Sequence, residues 1–194
     1  MSGFRCGSSV LVLLLTFAGA AHADIHSDMA TRRADFASPE LSANEALIDQ
    51  RGSGNLATID QQGAIVGGGN YAEVNQNGDS NQASVVQIGD SNRARIDQTG
   101  SSNSVKATQS GSGNSLDLIQ NGSGNSIDLV QTGDANLFTA SQIGDNNSIL
   151  ATQNGVPGTL VEGGNNNAIT VNLSPTGPSV SVNIVGNGLS VKVN

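Results

Sequence analysis

The side chains with the most regular spacing in this sequence are primary carboxamides, whose chemistry is hydrogen bonding and not bond making. Ten asparagines recur, and each is followed six residues later by a glutamine and eight residues later by a glycine. Successive asparagines are eleven residues apart, except at one step of fifteen where residues 64–67 fit an insertion in a turn. The amides are Asn44, Gln50, Asn55, Gln61, Asn70, Gln76, Asn81, Gln87, Asn92, Gln98, Asn103, Gln109, Asn114, Gln120, Asn125, Gln131, Asn136, Gln142, Asn147 and Gln153. The glycines are Gly52, Gly63, Gly78, Gly89, Gly100, Gly111, Gly122, Gly133, Gly144 and Gly155.

Residues suited to catalysis or to metal binding are few. The acids Asp60, Asp97, Asp117 and Asp128 fall on positions expected to face outward, and His26 precedes the repeat. A nucleophile with its base cannot be assembled from these residues, so we expect no enzyme, no cofactor and no small-molecule substrate. Acids also occur in the expected turns, but calcium-loading repeats of this kind are nine residues long, so no metal site is predicted.

The overall composition is not that of a domain with a bulky core. Aromatic residues make up 3% and charged residues 12% of the chain, and tryptophan is absent. Eight basic residues against sixteen acidic ones give a formal net charge of −8. Nucleic-acid binding is therefore not expected, because neutralising phosphates needs clustered lysines and arginines.

Strands must position the amides. The second and fourth residues after each asparagine are apolar in all ten units, while the residues between them are mostly polar. Alternation of this kind predicts a seven-residue strand with one face buried, and the glycine-bearing segments that follow predict tight turns. A helix is excluded, since an eleven-residue helical repeat would not carry a turn signal in every unit.

The amides share the buried face with the apolar residues. A buried amide without partners costs about 1–3 kcal/mol, so the arrangement requires strands stacked in register with each amide bonded to its equivalent. Successive units then pair into about five strand–turn–strand rungs of 22 residues, in which small residues such as Ala46 face large ones such as Ile59. The predicted fold class is all-β, a β-solenoid with cross-β stacking.

The same stacking predicts the outer face. Arg95 falls between Glu73 and Asp117, and Lys106 falls beside Asp128. Exposed ion pairs contribute only about 0–1 kcal/mol, so we expect these pairs to select the register more than to stabilise the stack.

The chain divides into four segments. Residues 1–23 are predicted to be a signal peptide cleaved after Ala23, which would remove Cys6, the only cysteine. Residues 24–43 form an N-terminal leader, and residues 44–155 are the repeat domain of ten half-repeats. Residues 156–194 are a degenerate β tail with two alternating runs around Gly186, which predict a hairpin. The tail could cap the stack, anchor it or add an irregular rung.

Stretches such as "SNRARIDQTG" and "NLATIDQQG" resemble the curlin repeat, and the likeness extends from Asn44 to Gly155. Within the curlin family they are most similar to the minor, nucleating subunit. The resemblance implies a secreted structural subunit of curli amyloid fibres, which self-assembles at the cell surface in biofilm formation and adhesion. It also implies partners: copies of the same chain, other curlin subunits, and the outer-membrane curli secretion pore that would recognise the leader.

Two alternatives remain open on the sequence. The last repeat contains no lysine or arginine, which leaves the major curlin subunit as one alternative. A monomeric secreted β-solenoid for adhesion or binding is the other, and it would need blocked ends. Only Pro39 precedes the repeats, whereas Pro157, Pro175 and Pro178 follow them. The N-terminal rung is therefore predicted to be the freer edge.

Overall fold

The computed structural model of the 194-residue chain describes residues 9–16, 44–63, 68–155, 157–174 and 179–194. The predicted cleavage site, the leader and the insertion at residues 64–67 lie outside these ranges. The described residues form strands and turns and contain no helix. No helix among them is long and apolar enough to cross a membrane.

The strands follow the eleven-residue repeat closely. In chain order they are β1 (Ser9–Thr16), β2 (Glu45–Arg51), β3 (Leu56–Gly63), β4 (Tyr71–Asp79), β5 (Gln82–Ile88), β6 (Arg93–Ser101), β7 (Ser104–Ser110), β8 (Ser115–Ser123), β9 (Ser126–Thr132), β10 (Leu137–Ile143), β11 (Ser148–Asn154), β12 (Gly158–Gly163), β13 (Ala168–Leu173), β14 (Val180–Val185) and β15 (Ser190–Val193).

The strands form two sheets. The even-strand sheet runs in the order β2, β4, β6, β8, β10, β12 and β14, and the odd-strand sheet runs from β1 through β3 to β15. From β2 onward every pairing is parallel and joins equivalent positions of successive rungs, as in Gln76 with Gln98. The predicted parallel-stacked β-solenoid is confirmed.

The core lies between the sheets and contains the apolar residues of the alternating pattern. Ile59, Val74, Leu118 and Phe138 are fully buried, while the residues between them on each strand are exposed or half-buried. Alanines occupy many of the remaining inward positions, so the two sheets pack over a thin layer of small and branched side chains. The period-two alternation thus fixes which face of each strand is buried.

The C-terminal tail adds two rungs to the five predicted from the repeat. Strands β12 and β14 extend the even-strand sheet, and β13 and β15 extend the odd-strand sheet. Leu160, Ile169, Val171 and Ile184 continue the buried core. The predicted hairpin is therefore wrong: the two runs around Gly186 lie in different sheets, because each buries its apolar side chains by pairing with the preceding rung.

Strand β1 differs from all the others. It belongs to the predicted signal peptide and pairs antiparallel with β3, so that Leu11 lies opposite Gln61. In the full-length chain it therefore occupies the N-terminal edge of the odd-strand sheet, whereas β2 is the edge strand of the even-strand sheet.

Candidate assembly interface

The repeat amides lie inside the stack. Eighteen of the twenty are buried, and the two others, Asn44 and Gln50, are partly buried in the first rung. Their burial follows from the alternation, because asparagine and glutamine occupy the same parity as the apolar residues of each strand. A polar group placed there must find partners inside the molecule.

Glutamines form one ladder in each sheet. In the even-strand sheet the Nε2–H of each glutamine donates to Oε1 of the next, at distances of 2.5 to 2.9 Å along Gln50, Gln76, Gln98, Gln120 and Gln142. In the odd-strand sheet the corresponding distances are 2.8 Å along Gln61, Gln87, Gln109, Gln131 and Gln153. Every donor points toward the C-terminal end of the stack.

The second N–H of the six glutamines from Gln76 to Gln131 joins the two sheets. Gln98 Nε2 also donates to the backbone oxygen of Gln82, at 3.0 Å, and Gln131 Nε2 donates to that of Ser115, at 3.1 Å. Each carboxamide therefore accepts from one rung, donates to the next and donates across the core. Because their hydrogen-bonding groups are paired in this way, many polar side chains are tolerated in a narrow interior.

Asparagines form a second pair of ladders at the turns. The side-chain oxygen of Asn81 accepts from both the backbone N–H and the Nδ2–H of Asn103, each at 3.1 Å. Asn103 Nδ2 then donates to the backbone oxygen of Gly122, at 2.9 Å. The asparagines thus hold the turn of one rung against the turn of the next.

Nine of the ten repeat glycines have positive φ, as the predicted turns require. Gly63 is the exception, and it ends β3 beside the insertion. At Gly100 the φ is 111°, and a Cβ would collide with the backbone oxygen of Gly122 in the next rung. The same close approach recurs along the turns, so these positions require glycine for stacking as well as for conformation.

The turn aspartates act in rung-to-rung hydrogen bonding. The carboxylate of Asp79 accepts from the backbone N–H of Ser53, at 2.8 Å, which together with the bond from the Ser53 hydroxyl lowers the pKa of Asp79. Asp134 and Asp145 accept equivalent backbone bonds, at 2.8 and 2.7 Å. No group of three or more metal-ligating side chains occurs within the described part of the chain.

The predicted outer columns are in register. Arg95 lies between Glu73 and Asp117, and Lys106 lies beside Asp128. The shortest ion pair of Arg95, however, is with Asp97 of its own strand, at 2.6 Å, while Asp117 is 4.0 Å away. The prediction missed Asp97 because it compared only residues directly opposite each other.

The tail supplies two residues to the ladders that the repeat pattern did not include. Asn167 continues the asparagine ladder of the odd-strand side by donating its backbone N–H to Asn147 Oδ1, at 3.1 Å. Glu162 occupies a glutamine position, is fully buried, and accepts from Gln142 Nε2 through Oε2 at 2.9 Å. The sequence signal for Asn167 is the glycine- and asparagine-rich run before it, followed by alternating apolar residues, whereas the shortened spacing after residue 155 hides Glu162.

The first rung leaves acceptors unpaired. The Oε1 atoms of Gln50 and Gln61 are buried, and neither has a hydrogen-bond partner within the described ranges. Because each Oε1 accepts from the rung on its N-terminal side, these two atoms mark the point where the ladders begin. The N-terminal edge is therefore the candidate site for another rung to join.

Comparison with known proteins agrees with this geometry. The curlin associated repeat matches residues 42–64, 67–100, 89–122 and 122–155, which together cover more than half of the chain. No curated protein and no solved structure matches the chain. Repeats of this kind form structural β-solenoids and not enzymes. The chain therefore belongs to the curlin associated repeat family.

Proposed function

We propose that this chain is a secreted structural subunit of curli amyloid fibres, and that within them it is the minor, nucleating subunit. It self-assembles by in-register cross-β stacking, and the fibres serve the biofilm matrix and cell adhesion. Membership of the curlin repeat family supports the assembly into fibres.

The observation that carries the proposal is the continuity of the amide ladders up to an edge strand. Equivalent residues pair in every rung, as Gln76 does with Gln98 at 2.7 Å. A rung from another molecule with the same residues would therefore fit against β2 as an internal rung does. Unpaired backbone groups along such an edge favour the addition of further strands.

The nucleating role is supported by the sequence of particular rungs. The stretch from Ser91 to Gly100 and that from Asn55 to Gly63 are the ones most similar to the minor subunit. Both contribute strands to the first three rungs, nearest the N-terminal edge. A nucleator needs a folded edge that templates other subunits, and this end of the stack is where β2 presents one.

Export and location follow the same proposal. The segment 1–23 directs secretion, and the leader 24–43 is recognised by the outer-membrane curli secretion pore. The chain then acts outside the cell and has no catalytic role. Turn carboxylates such as Asp79 and Asp145 are bonded to the backbone of neighbouring rungs, which is a structural role.

The decisive experiment is a seeding assay with the major curlin subunit as the probe. The chain, as secreted by its host cells, is added in substoichiometric amounts, and fibre formation is followed by thioflavin fluorescence. A nucleator abolishes the lag of the major subunit. If the chain assembles by itself but does not seed the major subunit, it is a major subunit. If it stays a stable monomer both by itself and with the major subunit, it is a monomeric solenoid.

A further inference from the structure

The glutamine ladder of the even-strand sheet has a direction. Gln50 Nε2 donates to Gln76 Oε1, at 2.5 Å, and each later glutamine donates in the same sense. Every Oε1 therefore needs a donor from the rung on its N-terminal side, and every Nε2 needs an acceptor on its C-terminal side. The two ends of the stack consequently have different hydrogen-bonding needs.

The N-terminal end needs a donor. Gln50 Oε1 is buried and finds no donor among the described residues. In the odd-strand sheet, Gln61 Oε1 likewise has no partner among the described residues, and the residue opposite Gln61 on the antiparallel strand β1 is Leu11. Leaving a buried acceptor without a donor is unfavourable, so the edge favours a partner that supplies one.

The C-terminal end of the same chain supplies no such donor. In the even-strand sheet, the column passes from Gln142 to Glu162 and then to Ile184. In the odd-strand sheet, Leu173 follows Gln153. A second copy stacked head to tail would therefore place the aliphatic side chain of Ile184 against Gln50 Oε1 and leave that atom unpaired.

We propose that the β2 edge preferentially binds, in parallel register, the C-terminal rung of a different curlin subunit that carries glutamine in this column, and that copies of this chain extend one another through it more slowly. The inference rests on the proposed function and names the partner of the same interface. It makes growth unidirectional, since other subunits add at β2 and the rung of β14 and β15, which has no glutamine, ends the stack.

The test restores the missing donor in the full-length chain. The double variant E162Q/I184Q continues the ladder to the last rung, and the matched control E162Q/I184L repairs Glu162 while keeping an aliphatic end. All are secreted by the same host, and circular dichroism checks their folding. In the absence of any other subunit, we expect E162Q/I184Q to form fibres with a lag about tenfold shorter than that of the wild type or of E162Q/I184L. Equal lags in the three chains would overturn the proposal.

A second measurement identifies the acceptor. Fibre fragments of E162Q/I184Q and of E162Q/I184L serve as seeds, and labelled wild-type chain is added to each. We expect the labelled wild-type chain to attach about tenfold faster to the seeds that end in glutamine. A labelled chain with the substitution Gln50→Met should attach to both kinds of seed at the same rate. The ratio of the two attachment rates is independent of any general loss of stability in the Gln50→Met chain. If that chain still prefers the seeds that end in glutamine, Gln50 is not the acceptor.

Failure of this inference is distinguishable from failure of the proposed function. If wild-type chain abolishes the lag of the major subunit while E162Q/I184Q assembles with the same lag as the wild type, the nucleating role stands and the role of Gln50 is wrong. If wild-type chain already extends itself as fast as E162Q/I184Q, copies of the chain are its own partners and the heterotypic interface is wrong.

Discussion

Gln142 donates its Nε2–H to Oε2 of Glu162 over 2.9 Å, and this bond ends the glutamine ladder of the even-strand sheet. The other carboxylate oxygen, Oε1, is buried and has no hydrogen-bond partner within the described ranges. Burial raises the pKa of Glu162, against the smaller lowering effect of the bond from Gln142. The folded chain thus favours the protonated carboxyl at this position.

The stability of the C-terminal rungs should therefore depend on pH. Since the pKa is raised on folding, stability is complete below the ordinary glutamate value of about 4.3 and falls as pH rises through the raised value. We expect amide protection of β12 and β14, measured by hydrogen exchange, to fall with rising pH in the wild type. Glu162→Gln should lose this dependence and gain about 1–3 kcal/mol at alkaline pH.

Glu45→Gln is the matched control for that experiment, because Glu45 is an exposed acid on the first repeat strand. It should keep the pH dependence of the wild type. Identical pH profiles for wild type and Glu162→Gln would show that the buried carboxyl does not govern the tail.

The interior ladder can be tested at Gln98. Gln98→Leu leaves Gln76 without its acceptor and Gln120 without its donor, and each orphaned group costs about 1–3 kcal/mol. We expect fibres of this variant to dissociate at a clearly lower guanidinium concentration. Gln82→Leu, the same substitution at an exposed position, should leave the midpoint nearly unchanged. Equal midpoints for the two variants would mean that the buried amide bonds add no stability.

The sequence predicted the parts of the fold that repeat. Asparagine, glutamine and the two apolar positions recur with one parity, and parity alone decides which side chains face the core. The register of Arg95 with Glu73 and Asp117 followed from the same period. These features depend on local alternation and on equality between rungs, both of which can be read from residue types.

The tail shows where such reading fails. Its two rungs lack the glutamines that marked the others, and their spacing changes around Pro157. Short apolar runs flanking Gly186 fit a hairpin as well as a rung, because local alternation is identical in both. Only the free edge left by β12 and β13 decides between them, since pairing with it buries Ile184 in the existing core.

Close stacking of the turns predicts a strong effect of a single methyl group. Gly100→Ala places a Cβ against the backbone of Gly122 at a φ of 111°, so we expect a loss of about 2–4 kcal/mol and slower assembly. Gly113→Ala is the control, since Gly113 has a φ of 68° with open space around it and should lose only about 1–2 kcal/mol. Guanidinium dissociation of the fibres measures both, and equal losses would exclude the stacking argument.

Charge on the outer face should affect the rate of ordered assembly. Arg95→Glu replaces the pairs with Asp97 and Asp117 by repulsion within a cluster that also includes Glu73. Because these groups are exposed, the change in stability is small, about 1 kcal/mol or less. The difference in free energy between aligned and misaligned stacking, however, becomes smaller. Thioflavin kinetics should show slower assembly at low salt and recovery at high salt. Kinetics unchanged at low salt would remove the register role.

Deleting residues 156–194 tests two opposing effects of the tail. The deletion removes buried surface from Leu160, Ile169 and Ile184, which lowers the stability of each molecule. It also ends the even-strand sheet at β10, where Gln142 Nε2 would face outward as a donor toward the next molecule's Gln50 Oε1. Growth depends on the match between ends more than on the stability of the interior, because the remaining five rungs keep complete ladders. We therefore expect a lag about tenfold shorter in thioflavin assays.

Deletion of residues 186–194 separates the two effects, since it shortens the stack but keeps Ile184 at the end of the even-strand sheet. This chain should lose only the smaller stabilisation from Val191 and Val193, which pack against the core, and it should not grow faster. If the longer deletion slows fibre growth instead, the tail is required for assembly, and the two additional rungs act as part of the template and not as its end.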